Sequence, residues 1–229
     1  MAKIKVRIGN RFPLLADILL NLRFLLRRDR SQFGESRLLE EFVLSNADNV
    51  NYYLELGCGH PITYSNSLGL PRSWTGIHVD PNTSLSNLWT IFRPKDLFLP
   101  YAITTDPDMT ELEYFKFPRR HSVLNSVVPE FLETWKSSGL TPKSVIVKAI
   151  TIRESLRIKG VDPGSLELVM CDIEGFDKQL MVHMLDVEFI HPQWILVEDF
   201  DSEIEYLMTR RGYKLLGMAG PTKLFKKIN

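Results

Sequence analysis

Apolar residues first gather in one long stretch and then settle into short runs. Phe12–Leu26 is dense in leucine and interrupted by Asp17, Asn21 and Arg23, which predicts a helix with a wide apolar face. Arg27, Arg28 and Arg30 follow at its end, where cations suit the helix dipole. A second helical segment, Ser36–Leu44, precedes a polar break at Ser45, Asn46, Asp48 and Asn49. Beyond it the period changes. Tyr52–Leu56, Trp74–Val79, Leu97–Thr104, Glu111–Phe117, Ser144–Ala149, Leu166–Ile173 and Trp194–Val197 read as strands. Between them, helices are expected at Ser84–Phe92 with Ser84 as N-cap, Pro129–Ser138, Ile152–Lys159, Phe176–Leu185 and Ser202–Arg211. Leu166–Ile173 is strongly apolar, as a parallel strand covered on both faces should be. Tyr213–Met218 and Thr222–Lys226 flank Ala219-Gly220-Pro221 and read as a closing hairpin. The alternation predicts an α/β fold: a Rossmann-like, mostly parallel sheet with a C-terminal antiparallel hairpin. Residues 1–48 are read as an N-terminal helical extension and 49–229 as one domain.

Composition narrows the function classes. A chain of 229 residues holds one sizeable core. Its 28 basic and 28 acidic residues cancel, so nothing favours bulk nucleic-acid binding, which needs a basic excess. The partner expected instead is a small molecule or a neutral polymer end. Cys58 and Cys171 form neither a disulfide framework nor a zinc pattern, and no signal peptide or spanning segment is visible, so a cytoplasmic location is expected. The first helix is read as packing on the domain or on a twin subunit in a homo-oligomer. Peripheral membrane contact is the alternative, disfavoured by the wide apolar face and the few charges.

The chemistry lies in two segments. In YYLELGCGH, Glu55 stands near the end of the first strand, and Gly57, Cys58 and Gly59 form the turn. Such a turn is where open α/β sheets bind nucleotide-like ligands. Asp80 ends the next strand, where a carboxylate can accept both hydroxyls of a ribose. A dinucleotide site would want a third glycine and a helix N-terminus for the pyrophosphate; His60, Pro61, Ile62 and Thr63 stand there instead. S-adenosylmethionine has no phosphate and carries a positive sulfonium and ammonium, which an acid such as Glu55 suits. A tight structural turn is the plainer alternative. The second segment, CDIEG, places Asp172 and Glu174 at the mouth of a buried strand. Either could take a proton from a hydroxyl, orient it or hold a divalent cation, or both could simply cap the next helix. His60 is a further candidate base, or a loop histidine bonded to backbone. Glu198 and Asp199 end a neighbouring strand and could join, with a solvated loop the plainer reading. No metal ligands are assigned.

These residues also carry a resemblance. ELGCGHPITYSNSLGLPRSWTGIHVDPN, RPKD at 93–96, SQFGE at 31–35, LELVMCDIEGFDKQLM and ILVED at 195–199 resemble, in order, the blocks of FkbM-type methyltransferases. Together they span about residues 31–216. The resemblance implies a class I methyltransferase fold and S-adenosylmethionine-dependent methylation of a hydroxyl on a small molecule, sugar or glycan. It implies that Glu55, Gly57 and Gly59, with Cys58 between them, hold the methionine part of the cofactor. Asp80 would bind its ribose and Asp96 would lie near its adenine, with Asp172 and Glu174 beside the transferred methyl. Glu55 stands where many members have aspartate, and Asn125-Ser126 only approximates an Asn-Thr pair; substrate contacts are expected within Phe115–Ser138. The competing readings are a nicotinamide oxidoreductase on the same fold and a non-catalytic binding or scaffold protein.

Overall fold

The computed structural model describes residues 31–45, 52–117, 124–130, 139–200 and 202–228. The expected helix Phe12–Leu26 with its arginines lies outside the described residues, as does most of the expected helix Pro129–Ser138.

Strands β1 (Tyr52–Leu56), β2 (Thr75–Val79), β3 (Leu97–Leu99), β7 (Leu166–Cys171), β8 (Trp194–Glu198), β9 (Tyr213–Ala219) and β10 (Thr222–Lys227) form one sheet. Its order is β3-β2-β1-β7-β8-β10-β9, parallel except at β10, which runs antiparallel to both neighbours. The α/β fold, the mostly parallel sheet and the terminal hairpin are therefore as the pattern predicts.

Strand alternation sends side chains to two cores. Leu54, Leu56, Ile77, Val79, Val169, Ile195 and Val197 pack on one face. That face is covered by helices α3 (Ile152–Lys159), α4 (Asp177–Asp186) and α5 (Glu203–Arg210), which contribute Leu156, Leu180, Met184 and Met208. Helix α3 starts where local chemistry dictates. Thr151 and Glu154 form a reciprocal capping box, and Gly160 ends it in the left-handed conformation. The opposite face carries Tyr53, Leu168, Met170, Trp194 and Leu196. It is closed by α1 (Glu35–Leu38) with its π-helical continuation Leu39–Leu44, whose Leu39 and Val43 are buried in that core. Residues 35–44, within the expected N-terminal extension, thus pack on the sheet.

Two expectations are corrected. Leu97–Thr104 is two strands, because Pro100 has no N–H to continue a ladder. The chain leaves the main sheet after β3 and enters a second sheet as β4 (Ala102–Ile103). There β6 (Lys143–Ile150) pairs β4 in parallel and β5 (Glu111–Lys116) antiparallel. Ser84 does not cap the next helix: its hydroxyl donates to Asn82, and α2 (Ser86–Phe92) follows a short 3₁₀ turn. No helix among the described residues is long and apolar enough to cross a membrane.

Candidate functional site

The carboxyl ends of β1, β2, β7 and β8 bring most of the candidate residues together. The glycine turn is fixed from three sides. Gly57 and Cys58 donate to the Val79 carbonyl, Gly59 N–H donates to Asp80 Oδ2 at 3.0 Å, and Trp89 Nε1 donates to the Gly59 carbonyl at 3.0 Å. Asp80 Oδ1 also accepts the Asn82 N–H at 2.8 Å. Burial pushes the Asp80 carboxyl above its ordinary value.

The two glycines do different work. A Cβ on Gly57 would lie 1.7 Å from the Asp172 carbonyl oxygen, so this glycine lets the β1 tip press against the β7 tip. A Cβ on Gly59 would meet nothing within 4 Å, so that backbone faces open space. Cys58 and Cys171 are both buried free thiols.

Glu55, Asp96 and His60 are each bonded within the protein. The alternation that puts Leu54 and Leu56 in one core turns Glu55 to the other face. Its Oε2 accepts from Ser67 at 2.6 Å and lies 2.8 Å from His78 Nδ1. His78 Nε2 is 3.2 Å from the Tyr53 hydroxyl, which also accepts from Arg93. Asp96 precedes β3, at the amino edge of the sheet. It accepts the Gly76 N–H at 3.1 Å and Arg93 Nε at 2.7 Å, and hydrogen bonds and charge from His78 and Arg93 hold it down to about 2 against the effect of burial. Glu55 and Asp96 are therefore the two acids of a buried network beneath the turn. Ligands of open α/β sheets bind at the opposite, carboxyl edge. His60 Nδ1 accepts the N–H groups of Ile62 and Thr63, both at 3.1 Å, so the ring proton sits on Nε2. Burial lowers its pKa to about 4. Its ring braces the loop through these two backbone bonds.

The acids of CDIEG behave differently. Neither caps α4, whose N-cap is Phe176 without a side-chain bond; Asp177 takes the nearby Ile173 N–H instead. Asp172, Glu174 and Glu198 place carboxylate oxygens within 4.8 Å of one another, the spacing at which a hard divalent cation is held on oxygen ligands. Asp199, which alternation points the other way, accepts the Ile204 and Glu205 N–H groups at the start of α5 and pairs with buried Lys223 at 3.0 Å. Three neighbouring, half-buried acids cannot all ionise cheaply. Burial, then Glu198 and Asp177, push Glu174 up to about 8. Burial, then Asp177 and Glu35, push Glu198 up to about 7. Asp172 is raised well above the carboxylate range by burial, then by Glu198 and Glu174.

Sequence reasoning passed over the second sheet. Glu174 has φ +52°, a left-handed backbone unusual for a side chain of this size. Its carbonyl accepts the Ser126 hydroxyl at 2.7 Å, and Ser126 bridges to Phe115 of β5. The Asn125-Ser126 pair was the available signal. No protein-family model matches the chain, and no curated protein matches it.

Proposed function

We propose that this protein is an S-adenosylmethionine-dependent O-methyltransferase of FkbM type, acting on a hydroxyl of a small molecule, sugar or glycan. One observation carries the proposal. The open space beside Gly59 adjoins Asp80 at the β2 tip, whose Oδ2 takes the Gly59 N–H, and the Asp172–Glu174–Glu198 cluster stands at the β7 and β8 tips of the same sheet edge. Reversed β10 between β8 and β9 supports the methyltransferase form over the dinucleotide form, whose usual order 3-2-1-4-5-6 has no reversed strand there. A nicotinamide dinucleotide is further disfavoured by residues 60–66, which form turns and bends. The first helical turn after them is the three-residue 3₁₀ segment Ser67–Gly69, so no α-helix N-terminus faces a pyrophosphate.

The residues present fit the adenosyl ligand at one end and the acceptor at the other. Asp80, a buried carboxylate whose two oxygens each accept a backbone N–H, would take the ribose hydroxyls, and the open Gly59 backbone would admit close approach. Glu55, bonded to Ser67 and His78, would support the turn from within β1. When bound, S-adenosylmethionine supplies an electrophilic methyl carbon on a positive sulfonium. This chain's part is to hold the acceptor hydroxyl in line and take its proton. Glu174 or Asp172 is the base, with Glu198 setting its proton affinity.

Titration calorimetry with S-adenosylhomocysteine tests the reading: micromolar binding is expected, abolished or weakened at least about tenfold by Asp80→Ala. A chain that binds NAD and not S-adenosylhomocysteine would overturn it. The base must be ionised to act, so kcat/KM should rise with pH through about 7–8, following the raised Glu174. Glu198→Gln removes a like charge and lowers that affinity, so the acid limb should move toward lower pH by about one unit. An acid limb that stays in place would separate Glu198 from the base.

A further inference from the structure

β5 and most of β6 are exposed or half-buried, yet Tyr114 on β5 is only 5% exposed. Alternation sends Glu111 and Glu113 outward and Tyr114 inward, toward the carboxyl edge of the main sheet. Its strand is tied down at both ends of the candidate cleft. On one side Lys116 Nζ reaches Asn82 Oδ1 at 3.5 Å, in the turn that follows Asp80. On the other, Phe115 bridges to Ser126, whose hydroxyl donates to the Glu174 carbonyl. The groups that act on the phenol are those of the cleft: Asp80, Asn125, Glu174 and Cys58. Burial and the two carboxylates hold the phenol protonated, so it keeps an O–H to donate.

We infer that Tyr114 is a cofactor-contacting residue: the inserted sheet closes over the cleft and places this hydroxyl between the ribose-binding carboxylate and the proton-accepting one. The inference rests on the proposed function and adds the roof of the site. A ligand spanning Asp80 and Glu174 passes beneath the phenol, which can donate to it and shield it from water. Tyr114→Phe keeps the ring and its packing and removes only the hydroxyl.

The experiment measures S-adenosylhomocysteine affinity and the melting temperature of wild type and Tyr114→Phe, with steady-state kinetics once an acceptor is in hand. The expected result is an affinity loss of about tenfold, an unchanged melting temperature and a kcat restored by saturating cofactor. Unchanged affinity in the variant, with normal binding by wild type, overturns this inference and leaves the methyltransferase reading standing. A kcat deficit that saturating cofactor does not restore also overturns it, since it marks a structural collapse of the roof. Absence of binding by wild type overturns both.

Discussion

Glu174→Gln is expected to lose about 10²–10⁴ in kcat while melting higher than wild type at pH 8. The first half follows from removing the base that accepts the acceptor's proton. The second follows from linkage. In the folded chain Glu174 holds its proton up to about 8, against an ordinary value of 4.5. Between those values the folded state binds more protons than the unfolded one, so stability falls as pH rises through the window. The group is stabilising, relative to its alkaline form, only while protonated. Glutamine is permanently neutral and escapes the loss, so at pH 8 the variant should gain about 1–2 kcal/mol after allowance for partial exposure, or roughly 3–6 °C. At pH 4, where Glu174 is protonated in both states, the two proteins should melt together. Thermal melts at both pH values, paired with turnover assays, check this. A variant that is fully active, or one less stable at pH 8 than at pH 4 by as much as wild type, would remove Glu174 from the role.

Gly57→Ala should destabilise the fold by about 3 kcal/mol or more, whatever the ligand. The left-handed φ of +73° costs a side chain about 1–2 kcal/mol. The new Cβ would also overlap the Asp172 carbonyl, and since backbone must shift, overpacking adds about 1–3 kcal/mol. A melting temperature lower by about 6–12 °C is expected. Gly59→Ala provides the contrast. It too has positive φ, +52°, but open space around its Cβ, so its stability cost should stay near 1 kcal/mol while ligand affinity suffers. Equal melting of the two variants would mean that the β1 and β7 tips are not held by this close approach.

Particular residues show how far the sequence was readable. The pattern predicts a helix over Ile152–Lys159, the bounds of α3, and the structure shows what starts it: Thr151 and Glu154 form a capping box, a local device. Pro100 carried the signal for the break after β3, but a lone proline does not say that the next residues join a different sheet. Glu55 and Asp96 were read as ligand contacts from their positions in a motif. Their true partners, His78 and Arg93, were decided by which strand lies beside which and by the register Glu55↔His78. Glu198 and Asp199 must point to opposite faces of a strand. Which one meets Asp172 depended on β8 lying next to β7.

Local pattern by itself determined most of the described strands and helices, the parallel sheet with its closing hairpin, and the glycine turn, since each follows from periodicity or from one residue's backbone freedom. Only the tertiary structure decided that Glu198 joins Asp172 and Glu174, that Glu55 turns into a buried network, and that Tyr114 is buried near Asp80 and Glu174. Proton affinity and ligand contact depend on distance through space. Residues separated by 24 or more positions, such as Glu174 and Glu198, acquire their chemistry only when the sheet sets that distance.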